Sequence, residues 1–273
     1  MLKDITLGQF FPGNSVLHRR DPRMKILASV LYIVTVFLCG NLWSYGLLIA
    51  ATLGMMLISG VPLKVYFKGI KPLIFILAFT TVYNVFFHNG DTLLVDLGVV
   101  DIYLEGLLFA VVMAVRIVAL LIGASVLLTY TTSPIMLTDG LERLLSPLKA
   151  LKLPVHEFAM MMTIALRFIP TLIEETDKIM NAQKARGADF SSGGLIKRAK
   201  AFVPVLIPLF ISAFRRAGDL AVAMECRCYR GGNGRTRMTK MTLGVGDFVL
   251  LFFVVALGAA ILCMNRFLPG IYL

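Results

Sequence analysis

Residues 155–189 read "VHEFAMMMTIALRFIPTLIEETDKIMNAQKARGAD". The first half is apolar, the second half is polar, and the change comes near Pro170. A bilayer-crossing helix needs roughly 20 predominantly apolar residues. The apolar run here, 158–173, is shorter than that and is broken by Arg167 and Pro170. In the polar half, Leu172, Ile173, Thr176, Ile179 and Met180 form a stripe at helical spacing, and Glu174 with Lys178 is a favourable i,i+4 pair. The stretch predicts one long helix from about Val155 to Asp189, kinked at Pro170 and closed by "GAD" and "SSGG".

Its neighbours follow the same plan. A helix from near Leu195 to about Tyr229 carries the apolar run "FVPVLIPLFISAF" (202–214), bent by Pro204 and Pro208 and stopped by the glycines of "YRGGNGRT". Before it, "SPIMLTDGLERLLSPLKALKLP" (133–154) starts a helix at Ser133-Pro134. Leu141, Leu144, Leu145 and Leu148 share one face there, and Pro147 bends the segment.

The rest of the 273-residue chain is a membrane composition: 58% hydrophobic and only 16% charged, against about 25% charged in soluble domains. Five runs read as spans: 26–40, 43–60, 72–89, 106–129 and 246–266. The first long apolar run begins only near Met24, which argues against a cleavable leader. The net charge of +11 is not a nucleic-acid signature, because the basic residues follow the spans. The N-terminal segment, the 61–71 loop and residues 131–245 hold 25 of the 27 lysines and arginines. The 88–106 loop instead carries Asp91, Asp96, Asp101 and Glu105. The positive-inside rule therefore puts the N-terminus and 131–245 in the cytoplasm and the C-terminus outside.

The expected architecture is an all-α integral membrane protein of about five transmembrane helices, with three cytoplasmic helices inserted before the last span. Two of those three are long and crossed. Residues 1–130 form the N-terminal segment and spans one to four, 131–245 the cytoplasmic helices, and 246–273 the last span and external end. The apolar halves of the long helices also admit a reading as two extra spans, seven in all. Helices lying against the membrane face and a partner at once are the preferred reading.

A partial repeat links the two long helices. "AQKARG" (182–187) sits beside "AMECRC" (223–228): alanine, two others, a small residue, arginine, a small residue. Each copy closes a helix of about 35 residues, roughly 52 Å if straight. Arg186 falls at the tip of the hairpin and Arg227 at its far end. From position alone, each arginine could simply cap its own helix. A planar, permanently charged fork between small residues also suits a carboxylate in a partner's groove. Two similar points far apart suit two similar receptors.

These stretches, together with "LHRRDPRMKIL" (17–27) and "GRTRM" (234–238), resemble the transmembrane T component of energy-coupling factor (ECF) transporters, the EcfT/CbiQ-like family. The likeness covers nearly the whole chain and is densest over 131–238. It implies a non-catalytic scaffold of an ATP-driven vitamin or micronutrient importer in a bacterial or archaeal cell membrane. Two ATPase subunits and a membrane-embedded, substrate-binding S component are the implied partners, besides the lipid bilayer. Ala185, Arg186 and Gly187 match the first Ala-Arg-Gly docking motif in full. Cys226, Arg227 and Cys228 occupy the second and keep only its arginine. Met160, Met161, Met162, Pro204 and Pro208 are assigned to an adaptable face toward the S component, with plain packing as the alternative. Nothing in the chain selects a cargo, so use by several S components is the expectation.

Other signals point the same way. There is no Gly-x-x-x-x-Gly-Lys-Ser/Thr, so the energy comes from a partner. Cys226 and Cys228 have no histidine nearby to complete a zinc site, and no metal or cofactor is expected. Arg116, in mid-span, is a functional candidate by default. It is read as pairing with a carbonyl or another helix, with an ion path as the alternative. His88 is read as interfacial. A stand-alone secondary transporter or channel would need midplane ionisable groups, and only Arg116 qualifies. An intramembrane enzyme would need clustered His, Asp, Glu or Cys inside the spans, which are absent.

Overall fold

The computed structural model describes residues 10–87, 92–96, 101–190, 194–231 and 241–267. The chain divides into two compact units. One is built from Gly8–Leu141 and Met241–Leu273, the other from Glu142–Lys240.

The first unit is a helical bundle. It holds α1 (Pro22–Leu38), α2 (Leu42–Ser59), α3 (Leu63–Ile70), α4 (Ile74–Phe87), α5 (Leu104–Ala124) and α9 (Val245–Phe267). A 3-10 turn at Lys71–Leu73 joins α3 to α4, and a π-helical turn at Ser125–Thr129 prolongs α5. The chain reads as helical, with one small exception. Strands β1 (Leu93–Asp96) and β2 (Asp101–Tyr103) pair antiparallel between α4 and α5. Part of the acidic 88–106 connection is therefore a hairpin, with Glu105 accepting from the Thr92 hydroxyl at 2.7 Å.

The basic 61–71 segment is not a loop. Leu63–Phe87 runs on as helix for 25 residues. Lys64, Lys68 and Lys71 recur at i, i+4 and i+7, one helical face. Tyr66 turns inward instead, 3% exposed, its hydroxyl 2.7 Å from Ser59 Oγ. Charge marks the side of the membrane and says nothing about loop or helix.

The bundle core is made by α1, α2, α5 and α9, with Tyr32, Leu48, Val126, Val254 and Ile261 buried. Tyr32 donates to the Ala119 carbonyl at 2.9 Å and lies 2.8 Å from Thr52 Oγ1. Gly123 faces its ring so closely that a Cβ there would collide with it. Small residues of this kind let membrane helices approach, because packing rather than water drives their association.

The two ends of α1 are satisfied by side chains. α1 starts at the N-cap Asp21, whose carboxylate accepts from Arg23 N, with Pro22 at the first turn. It ends after 17 residues. Its last carbonyls would be costly to leave unpaired at membrane depth. Asn265 Nδ2 donates to the Leu38 carbonyl at 2.7 Å, and Arg116 to the Cys39 carbonyl at 2.9 Å. Arg116 also bonds the Tyr45 hydroxyl, and its guanidinium stands 5.5 Å from the Tyr45 ring centroid. It thus joins a carbonyl and a residue of another helix, and this pairing is its place in the fold.

The second unit holds α7 (Val155–Ala185) and α8 (Leu195–Cys226). The segment before α7, expected as one bent helix, is α6 (Pro134–Leu144) followed by a 3-10 stretch, Ser146–Leu151. Pro147 has no N–H to continue an α-helix. Pro170, Pro204 and Pro208 sit inside α7 and α8, which stay helical through them. α7 and α8 meet along their middles. Arg216 donates to Glu175 at 2.9 Å, and Leu172 faces Leu209 and Phe210 across an apolar cavity of about 470 Å³.

Among the described residues, six helices are long and apolar enough to cross a bilayer: α2, Leu63–Phe87, Leu104–Thr129, α7, α8 and α9. α1 is one residue shorter than the shortest of them. The two long helices, like Leu63–Phe87, bury little within the chain. Among the described residues, the core cluster takes nothing from α7 or α8.

Candidate functional site

The candidate site is the pair of helix ends after α7 and α8. At the first, the N–H of Gly187 bonds the Lys184 carbonyl at 2.9 Å, and that of Ala188 bonds the Gln183 carbonyl at 3.0 Å. At the second, the N–H of Cys228 bonds the Glu225 carbonyl at 2.8 Å, and that of Tyr229 bonds the Met224 carbonyl at 3.0 Å. Both patterns are the Schellman closure, with 6→1 and 5→2 bonds around a left-handed residue. In each, the arginine is the C-cap residue: Arg186 at φ −86°, ψ 7° and Arg227 at φ −91°, ψ 15°. The next residue is left-handed, Gly187 at φ +88° and Cys228 at φ +55°. The partial repeat of the sequence is a full repeat of backbone geometry.

Glycine enters this conformation freely, whereas a residue with a Cβ pays roughly 1–2 kcal/mol. Cys228 adopts it nonetheless. The replacement of glycine therefore leaves the turn intact and adds strain. Nothing lies within 4 Å of where a Cβ on Gly187 would point, so only the backbone angle, not space, favours glycine there.

Ala185, Arg186, Gly187, Cys226, Arg227 and Cys228 are all exposed. Among the described residues, neither Arg186 nor Arg227 forms an ion pair, and neither guanidinium bonds its own helix. Simple self-capping by the side chain is not what the structure has. Among the described residues the two forks have no partner.

The remaining candidates are divided between α7 and α8. Met161 and Met162 are 58% and 41% exposed, Met160 is half-buried, and Pro204 and Pro208 are exposed. Around the prolines, Val203, Leu206, Ile207, Phe210 and Phe214 are exposed at i, i+3, i+4, i+7 and i+11. This is an apolar stripe that Leu172 of α7 borders at Leu206, Ile207 and Phe210 and that stays largely exposed. The sequence reading singled out the methionines and prolines and missed these larger residues, although their helical spacing was visible. No group of three or more His, Cys, Asp or Glu able to hold a metal occurs among the described residues. His88, read as interfacial, and the "GRTRM" stretch lie outside the described residues.

Fold and site together define a multi-pass helical membrane protein that carries two matched, arginine-tipped helix ends. The family described as CbiQ, Cobalt transport protein, matches residues 13–239. The chain is 56% identical to the energy-coupling factor transporter transmembrane protein EcfT of Ruminiclostridium cellulolyticum over 241 residues, 88% of this chain and 90% of the relative. It is 49% identical to EcfT of Thermosediminibacter oceani over 267 residues, 98% and 100% of the two chains. With EcfT of Bacillus subtilis it shares 46% over 259 residues, 95% and 97%. The chain belongs to the CbiQ/EcfT family of transporter membrane components.

Proposed function

We propose that this chain is the energy-coupling scaffold of an ATP-driven importer. It transmits movement from two ATPase subunits to a membrane-embedded S component that binds a vitamin or similar micronutrient. The catalysis belongs to the ATPases. In this reading residues 131–245 are cytoplasmic, α7 and α8 are coupling helices along the membrane face, the N-terminus is inside and the C-terminus outside, in a bacterial or archaeal cell membrane. Ala185-Arg186-Gly187 and Cys226-Arg227-Cys228 each seat in a groove of one ATPase. The apolar stripe around Met160, Met161, Met162, Pro204 and Pro208 meets the S component, and one scaffold serves several S components.

The observation that carries this reading is the geometric repeat: two exposed arginines at two identically closed helix ends. Like ends suit like receptors. The relatives' name, energy-coupling factor transporter transmembrane protein, supports the system. The exposed apolar stripe is the kind of surface that a membrane-embedded partner or lipid covers, and it supports an S-component contact on that footing.

The test is co-purification from native membrane. The wild-type chain retains two ATPase subunits and a small membrane protein. Removing one partner of a desolvated charge pair costs roughly 2–5 kcal/mol, so Arg186→Glu and Arg227→Glu each deplete the ATPases and the double variant loses them. Full ATPase retention by the double variant overturns the docking claim. Transport by the chain alone in liposomes would instead establish the secondary-transporter reading.

A further inference from the structure

The stretch "LHRRDPRMKIL" is left without a role by the docking sites, yet it holds the densest buried polar cluster of the bundle. Lys25 is 1% exposed, Asp21 7% and Asp247 4%. The chain leaves the bundle unit after Leu141 and re-enters it at Met241, and both connections are fastened to this one helix end.

On the outgoing side, Lys25 Nζ donates to the Thr131 carbonyl and to Thr132 Oγ1, each at 2.9 Å. Further along, Gly140 lies so close to Pro22 that a Cβ there would stand 3.0 Å from the Pro22 Cβ. On the returning side, Asp247 uses both carboxylate oxygens. Oδ2 accepts from Gly244 N at 2.7 Å, capping its own helix α9. Oδ1 accepts from Asp21 N at 2.9 Å, where α1 begins. Arg23 binds the Asp21 carboxylate at 2.8 Å and reaches the Met241 carbonyl at 3.5 Å. Gly246 leaves room for the Arg20 guanidinium, which a Cβ would strike.

Here Arg23–Asp21 is the ion pair, while Lys25 and Asp247 bond backbone and hydroxyl groups; buried charges of this kind are a weak source of stability, because desolvation offsets much of the attraction. Their attested use is to fix register. We propose that the Asp21–Lys25–Asp247 cluster is the fulcrum of coupling. It holds both connections of the 142–240 unit against the start of α1, so that displacement of that unit reaches the bundle rather than being absorbed in two slack linkers. Asp21, Lys25, Thr132 and Asp247 are then positioning residues for energy coupling. This inference rests on the proposed function, since it needs ATPases that move the 142–240 unit.

The experiment uses the complete complex in lipid nanodiscs and MgATP, then ADP with vanadate, as the only probes. In a Cys39→Ala chain, with Cys226 and Cys228 kept, the signal of an environment-sensitive thiol label on Cys263 of α9 is read as the part lost in a Cys263→Ala control. A second version adds Cys263→Ala and Lys178→Cys, placing the label on α7. In the otherwise unchanged complex both labels respond to nucleotide. With Asp247→Asn the Lys178→Cys label still responds and the ATPases still co-purify, while the Cys263 response falls at least about fivefold, the lower range of allosteric coupling. Thr132→Val, which removes one acceptor without changing shape, lowers the Cys263 response by about half and decides the matter if Asp247→Asn does not fold. Asp247→Glu keeps the charge and restores the response.

A full Cys263 response in Asp247→Asn or Thr132→Val overturns the fulcrum. So does a Cys263 label silent in the unchanged complex, or an Asp247→Glu variant as defective as Asp247→Asn. A silent Lys178→Cys label in the unchanged complex points elsewhere: the ATPases do not move this unit, and the proposed function fails first.

Discussion

The two units differ in what they bury. The bundle buries charged and hydroxyl groups and gives them partners: Lys25, Asp247, Thr52 and Ser59 are all under 5% exposed. The unit built on α7 and α8 leaves Phe210, Phe214 and Ile207 more than half exposed, and its two terminal arginines have no partner among the described residues. Apolar surface alone does not separate the two, since the bundle also exposes Leu57, Phe75 and Phe252. What sets the bundle apart is its buried and hydrogen-bonded polar interior.

Substitutions can break or sharpen this contrast. The largest effect belongs to Leu48→Ala, which empties a fully buried site in the bundle. It costs about 2–5 kcal/mol, read as a lower midpoint of thermal unfolding of the chain in detergent. Next comes Gly123→Ala, which drives a methyl into the Tyr32 ring. Overpacking of this kind costs about 1–3 kcal/mol, and the companion change Tyr32→Phe does not recover it, because the ring remains. Smaller again is Gly187→Ala. With open space around the position, only the left-handed angle opposes it, at about 1–2 kcal/mol. Cys228→Gly runs the other way and raises stability by about 1 kcal/mol through relief of the same strain. The smallest is Phe210→Ala. On a ring 66% exposed, it shifts the midpoint of the isolated chain by no more than about 0.5 kcal/mol. A Phe210→Ala loss as large as that of Leu48→Ala would erase the contrast between the units.

Much of this was legible in the sequence. The apolar runs located the membrane helices, since hydrocarbon thickness sets their length. The change of character within 155–189 marked long helices unlike the others. The two helix-end arginines could be found because their flanking residues repeat. Less legible were the features that depend on which helices become neighbours. Lys25 counts in the sequence as one more basic residue on one side of the membrane. In the fold it is sealed under Thr131 and Thr132, more than a hundred positions away. Asp247 looks like a helix-start carboxylate, and its second oxygen is committed to α1. Nothing local in "KVYFK" separates a loop from a helix, because lysines at i and i+4 serve either.

What the sequence determined by itself is therefore what depends on composition and local period: a membrane protein, its long helices, the side its charges favour, and two arginines in like settings. What only the tertiary structure decided is what depends on contact between distant segments. Arg116 became a cap for the end of α1. Cys228 was shown to take the left-handed turn of the glycine it replaces. One helix end gathered both connections of the 142–240 unit. The physical reason is that a helix forms from bonds four residues apart, whereas a buried charge must be satisfied by whatever the fold brings beside it.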